Sequence, residues 1–279
     1  MRHLLLVLLA ALFVVPIAAA AEKKELGNKG RKYIFWGFNR GYNSDADLTV
    51  RSPDGTFTIH DARGEDRPSQ DVSSYFSTTA QYNVRFGWFV SDRWAIEVGT
   101  DHMKWVFDNS RSYDITGSYG RQVWIDGTQV DFATAQAMQD ARFLEVEHSD
   151  GYNYVHSSAQ YFYPIVVKDD KRWSLVGSLG GGAGLLYPKT RVQIWDQATN
   201  EPRDVDNRFK VSGYGIDVEA KLRFIYRSFF IEAASRHVLG KINDAPFLGS
   251  DGSISQSAIY TSEVILGIGG HFGGRKHRR

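Results

Sequence analysis

One sixteen-residue stretch constrains the fold of this chain more than any other. In VSGYGIDVEAKLRFIY, residues 211–226, Tyr214, Ile216, Val218, Ala220, Leu222, Phe224 and Tyr226 fall on one face, while Gly213, Gly215, Asp217, Glu219, Lys221 and Arg223 fall on the other. A period of two belongs to a strand with two unlike faces. Soluble strands usually run to about five or six residues. Seven apolar positions at alternate sites outrun that length and suit a tilted membrane strand of about 9–11 residues with extensions at its ends.

The same alternation recurs along the chain. Ala80, Tyr82, Val84, Phe86, Trp88 and Val90 oppose Gln81, Asn83, Arg85 and Gly87; Trp94, Ile96 and Val98 oppose Ala95, Glu97 and Gly99. Phe229, Ile231 and Ala233 oppose Glu232 and Arg236, and Tyr260, Val264, Leu266, Ile268 and Phe272 oppose Thr261 and Glu263. Stretches 33–42, 152–163 and 173–187 complete a set of eight strands, with ten as the alternative count. Only residues 132–143 (FATAQAMQDARF) have helix-forming composition.

Connection lengths alternate. Strands two and three meet across Ser91, Asp92 and Arg93, four and five across a polar turn near Lys168 to Lys171, and six and seven at Arg227 and Ser228. The other connections, near 43–75, 108–151, 188–208 and 241–257, are long and polar. Short turns at one end and long loops at the other are the pattern of an outer-membrane barrel, with both termini on the short-turn side. The expected fold is therefore an all-β, eight-stranded antiparallel transmembrane β-barrel with long extracellular loops.

Composition is compatible with that fold although it looks soluble. Mean hydropathy is −0.35 over 279 residues, with 33 Lys and Arg against 32 Asp and Glu. These values exclude a helical membrane bundle, but barrel strands average apolar with polar positions. The near-neutral charge argues against a nucleic-acid partner. The absence of Cys excludes a disulfide scaffold, a thiol nucleophile and a Cys-ligated metal; neither metal nor cofactor is expected. Residues 1–21 have the basic start, apolar run and alanine-rich end of a signal peptide. Residues 22–272 form the expected barrel, and 273–279 a basic C-terminal tail.

In an eight-stranded barrel the lumen is just wide enough to be filled by side chains. The inferred inward face carries Arg85, Lys221, Arg223 and Arg236 against Glu97, Asp101, Asp217, Glu219, Glu232 and Glu263, so a salt-bridged plug is expected. Trp88, Trp94, Trp173, Tyr226 and Phe229 flank the short turns, where aromatic rings sit at the lipid headgroups. DHMKWVF and LEVEHSDGYNYVHS bring Asp101, His102, His148 and His156 toward one rim, together with Lys104, Glu145, Glu147 and Asp150. Such groups are weak candidates for a hydrolase site, although no spacing among them defines a triad or a ligand set. The glycine-rich run GGGAGLLYPKT lacks the ending of a phosphate loop and suits strand curvature or a crowded lumen.

The stretches KYIFWGFNRGYNSDADL, DHMKWVF, EHSDGYNYV, GAGLLYPKT and SGYGIDVEAKLRFIYRSFFIEA, between about Lys32 and Ala233, resemble a family of uncharacterised outer-membrane β-barrel proteins of the Bacteroidetes type. The resemblance implies the fold and an outer-membrane location, and it brings no activity and no functional residues. The expected function is that of a non-enzymatic surface or envelope structural or binding protein acting through its loops. Its expected partners are outer-membrane lipids including lipopolysaccharide, the barrel-assembly machinery during biogenesis, and an extracellular macromolecule. A narrow channel for small solutes is the alternative, and a rim-sited hydrolase the second.

Overall fold

The computed structural model describes residues 26–66, 81–148, 151–168, 172–196, 209–247 and 251–273. The expected signal peptide and the tail beyond Gly273 lie outside them. In chain order the strands are β1 (Arg31–Asn43), β2 (Ala46–Ser52), β3 (Gly55–Ala62), β4 (Gly64–Glu65), β5 (Tyr82–Phe89), β6 (Trp94–Met103), β7 (Val106–Phe107), β8 (Ile115–Tyr119), β9 (Gln122–Ile125) and β10 (Thr128–Asp131). Helix α1 (Phe132–Ala137) follows, then β11 (Leu144–Glu147), β12 (Tyr152–Val167), β13 (Trp173–Pro188), β14 (Arg191–Ile194), β15 (Gly213–Tyr226), β16 (Phe229–Phe247) and β17 (Gly252–Gly273).

Eight of these strands close into a ring in the order β1-β5-β6-β12-β13-β15-β16-β17, and β17 pairs back onto β1. Every ring contact is antiparallel, and the eight are the strands expected from the alternation. The register fixes the barrel's dimensions. Starting at Tyr33, partners follow one another through Gly87, Glu97, Ser158, Gly182, Asp217, Val238 and Thr261 to Asn43, ten residues further along β1. A stagger of ten over eight strands gives a tilt of about 40° and a backbone radius of about 8 Å. That interior holds side chains and little else.

Outward positions are apolar and exposed, among them Ile34, Phe86, Ile96, Val155, Leu185, Ile216, Val218, Phe224, Ile231, Val264, Leu266 and Ile268. From Tyr226 to Tyr214, twelve tilted steps along β15 span about 30 Å, the thickness of a bilayer's hydrocarbon core. Among the described residues no helix is long and apolar enough to cross a membrane.

At the short-turn end, the backbone N–H groups of Leu26 and Asn28 both donate to the Asp92 carboxylate at 2.8 Å, so the start of the described chain is tied to that rim. The lumen there is closed by Tyr33, Phe35, Phe89, Phe162 and Phe230. Gly87 makes the closure possible, because a Cβ at this position would lie 2.0 Å from the Tyr33 ring.

The opposite end departs from the sequence reading. The long connections fold into a cap built of short strands. Strands β2, β3 and β8 extend the barrel sheet from β17; β14, β11, β7 and β4 make a second sheet; β9 and β10 pair as a hairpin. The expected loop at 241–257 is instead strand, since β16 runs on to Phe247 and β17 starts at Gly252. Register shifts after Gly240 and Ile242 let this hairpin continue through residues that read as a turn. The helical stretch is likewise shorter than 132–143, ending at Ala137.

The cap has a buried core that includes Leu48, Phe57, Trp105, Phe132, Phe143, Val146 and Ile194, and this core continues through Tyr152 and Tyr154 into the barrel mouth. Trp105 fills the space left by Gly64, where a Cβ would sit 1.7 Å from its indole nitrogen. Trp105→Ala is expected to destabilise the cap by about 3–5 kcal/mol. Limited proteolysis of the vesicle-inserted protein should then cut the cap while the barrel strands stay protected.

Candidate functional site

Alternate residues of β5, β6, β15, β16 and β17 project into the ring and meet at its axis. The Arg85 guanidinium from β5 donates to Glu219 and lies 3.3 Å from Asp101 and 3.8 Å from Glu97. Lys221 Nζ is 2.8 Å from both Glu97 oxygens and 3.1 Å from Glu219. Arg236 donates to Asp101 and to His156 Nε2, the latter at 2.6 Å, and lies 3.4 Å from Asp217 and 3.5 Å from Glu219. Neutral groups complete the shell. Asn83 donates to Asp101 at 2.6 Å, Gln160 to Glu219 at 3.1 Å, and Tyr154 to Asp217 at 2.9 Å.

Nearer the short turns, Arg223 pairs with Glu232 at 2.6 Å and donates to His271 Nε2 at 3.1 Å. Its guanidinium lies 3.9 Å from the Phe230 ring centroid and 4.3 Å from that of Tyr33. Such stacking holds a cation in an otherwise aromatic layer. Tyr33 joins the two layers by donating to Glu97 at 2.7 Å.

Glu263 stands apart. It faces Arg236 in register on β17 and is fully buried, yet neither carboxylate oxygen has a hydrogen-bond partner. Arg85, Glu97, Asp101, Arg236 and Glu263 are each 0% exposed, so at this level the lumen is filled by the side chains themselves.

The rim candidates do not converge. Asp101 and His156 belong to the lumen network, 3.5 Å apart. His102, adjacent to Asp101 and so on the other face of the strand, stacks on Tyr82 and bonds Asn153 Oδ1 at 2.8 Å. His148 is buried in the cap, 2.8 Å from Thr190 Oγ1 and 3.3 Å from Gln256 Oε1. Of their acidic companions, Glu147 pairs with Arg191 at 3.8 Å across the cap sheet, Glu145 lies beside it on β11, and Asp150 is outside the described residues. No group of three or more His, Asp or Glu able to hold a metal occurs among the described residues.

Trp88, Trp94, Tyr226 and Phe229 are exposed near the short turns, and Trp173 is half-buried there against Phe224. The sequence reading missed Tyr33, Tyr154, Gln160 and His271 as members of the lumen. Their inward parity, shared with Arg85 and Glu97, was the available signal.

A closed ring of eight antiparallel strands with an apolar belt about 30 Å high, and with short turns at one rim, is the architecture of a bacterial outer-membrane β-barrel. No protein-family model matches the chain, and no curated protein matches it.

Among solved structures it is similar to the outer membrane protein AlkL in lipid bilayers, at 14% identity and a TM-score of 0.40 over 92% of this chain and 97% of that one. It is also similar to the outer membrane protein OprG of Pseudomonas aeruginosa, at 12% identity and 0.39 over 90% and 100%. A third is Ail, the attachment invasion locus protein of Yersinia pestis, at 11% and 0.32 over 88% and 99%. The class rests on the ring and its belt, since likenesses at this level carry no argument. The Bacteroidetes-type resemblance has no counterpart among these comparisons.

Two predictions follow from the buried charges. Arg236→Met leaves Asp101, Asp217 and Glu219 short of a cation and should cost about 3–5 kcal/mol, whereas Glu263→Gln replaces a buried carboxyl that no hydrogen bond holds and should leave stability equal or raised. Denaturant unfolding of both variants in vesicles measures the contrast.

In the cap, burial pushes the His148 imidazole down to about 4, against an ordinary value of about 6.5 in the unfolded chain. The unfolded chain therefore takes up the proton first as the pH falls. Cap stability is complete above about pH 6.5 and declines by up to about 3 kcal/mol toward pH 4. Protease sensitivity of the cap should rise over that window, and His148→Gln should flatten the dependence.

Proposed function

We propose that this outer-membrane barrel is a surface or envelope binding protein that acts through its cap, with lipopolysaccharide or another extracellular macromolecule as partner. The observation that carries this reading is the cap itself. Chain that only connects strands needs no core, whereas here the connections bury Trp105, Phe107, Phe132 and Phe143 and present a shaped outer surface. A groove of about 560 Å³ on that surface is lined by Arg51, Phe209, Lys210, Asp244 and Pro246. Arg51 and Lys210 share this groove with Asp244 and Asp251, and Lys210 lies 2.5 Å from Asp244. A concave site with charges of both signs beside an aromatic ring suits a polar, partly apolar ligand such as a sugar-phosphate headgroup. The filled lumen supports binding over conduction.

The test is binding of the vesicle-inserted protein to immobilised lipopolysaccharide and to matrix polysaccharide, with planar-bilayer recording alongside. Arg51→Glu with Lys210→Glu should weaken binding about tenfold or more, with the remainder falling as salt rises, and no discrete conductance should appear. Unchanged binding in the double variant would remove the groove from the proposal, and stepwise conductance would favour the channel.

A further inference from the structure

The short turns and the segment that leads into β1 (residues 26–32, 91–93, 168–172 and 227–228) hold eight Lys and Arg against three Asp. Of these acids, Asp92 is already engaged by the N–H groups of Leu26 and Asn28 at 2.8 Å. Asp169 and Asp170, with Lys171, lie outside the described residues. Backbone hydrogen bonds join the segments around the rim. The Gly30 N–H donates to the Phe89 carbonyl at 2.9 Å, and that of Phe162 to Arg93 at 2.7 Å. The Arg227 N–H donates to Arg172 at 2.8 Å, and that of His271 to Ser228 at 2.7 Å. The cations therefore occupy one collar at the short-turn end.

Around the collar each segment couples a cation to an aromatic residue of the outer wall. Lys32 is exposed and lies in register between Trp88 on β5 and Phe272 on β17. Arg93 donates to the Tyr161 hydroxyl at 3.1 Å, and the Tyr161 ring packs 5.1 Å from that of Trp94. The exposed Arg227 has its guanidinium 5.5 Å from the Tyr226 ring centroid. The Lys168 N–H reaches the Trp173 carbonyl at 3.4 Å, which sets this exposed lysine opposite Trp173.

This pairing suits an amphiphile. Trp and Tyr rings settle at the headgroup level of a bilayer, so cations beside them meet lipid phosphates from the side. Long Lys and Arg side chains keep their stems on apolar surface while the charge reaches the polar layer. A periplasmic polymer would approach the turns end-on and gain nothing from rings that face the bilayer. A lipid uses both parts, with its acyl chains along Trp88 and Phe272 and its phosphate at Lys32.

We propose that the short-turn rim is a docking collar for anionic glycerophospholipid of the periplasmic leaflet. A zwitterionic headgroup carries its own ammonium beside the phosphate. A headgroup of net negative charge leaves its phosphate to the collar, and the attraction adds over several cations near one surface. The collar lies at the opposite end of the barrel from the cap groove, so it does not depend on what that groove binds.

The test uses the full protein in phosphatidylcholine vesicles, with spin-labelled phosphatidylglycerol or spin-labelled phosphatidylcholine as the probe. Electron paramagnetic resonance reads the motionally restricted fraction of each probe, and hence their relative affinity. Phosphatidylglycerol should be preferred several-fold at low salt, and the preference should shrink as salt rises. Lys32→Gln combined with Lys168→Gln and Arg227→Gln should lower the preference by at least about threefold. Arg111→Gln combined with Arg121→Gln and Arg191→Gln removes as many cations from the cap and should leave it unchanged. Heat-modifiability on gels verifies that each variant is folded. Equal affinity of the folded parent for both probes, or an unchanged preference in the rim variant, would overturn the proposal. Loss of binding to purified peptidoglycan in the rim variant, with its lipid preference intact, would assign the collar to that polymer instead.

Discussion

Closure of the sheet is the constraint on which the rest depends. In hydrocarbon no water is present to satisfy an exposed strand edge, so each backbone N–H and C=O must find a partner within the sheet. The thirteen-residue pairing of β1 with β17 supplies the last set of partners. Once eight strands close with a stagger of ten, the radius is no longer free. A radius of about 8 Å leaves room for side chains from facing strands to meet across the axis.

The charge network follows from that radius. Inward positions of a narrow barrel are dry, and a dry ion must be paired. Arg85, Lys221 and Arg236 are accordingly each shared among two or more acids. Arg236 reaches Asp101, Asp217 and Glu219, while Glu219 in turn receives Arg85, Lys221 and Arg236. Such a mesh contributes less to net stability than an apolar filling of equal volume, because desolvation offsets most of the attraction. What it adds is position. Asp101 on β6 and Arg236 on β16 find each other only if the register around the ring is right, so a slip by one residue turns every charge toward lipid.

Much of this was legible because a strand's period of two is rigid. Val84, Phe86 and Trp88 on one face leave Arg85 and Gly87 no choice but the other, and eight such stretches with alternating connections define the ring. Less was legible where the argument needed a third dimension. Asn243, Asp244 and Pro246 look like a loop, and only the register shifts after Gly240 and Ile242 keep them in β16. The cap core was masked because its apolar residues, such as Leu48, Val50, Phe57 and Ile59, sit in short alternating runs within connections that are polar on average. The three histidines share a height near the rim, but parity along the strands turns His156 to the lumen and His102 to the other face, while His148 lies in a connection whose cap fold no strand period reveals.

The outer wall obeys a simpler geometry, which explains how Ser235, His237 and Tyr260 can meet there in one hydrogen-bonded chain. Residues two apart on a strand lie on the same face, so Ser235 and His237 are neighbours by period alone. A third member must come from an adjacent strand, either directly opposite or on the diagonal, where a long side chain is required. Ser262 lies directly opposite His237, and Tyr260 is on the diagonal, opposite Leu239. A tyrosine spans that diagonal and a serine would not. A hydrogen-bonded Ser–His–Tyr chain can therefore lie flat on the barrel without disturbing the register that the lumen charges enforce from the other side. The two faces of β16 thus carry independent constraints, with Arg236 fixed by the interior and its two sequence neighbours, Ser235 and His237, left to face the lipid.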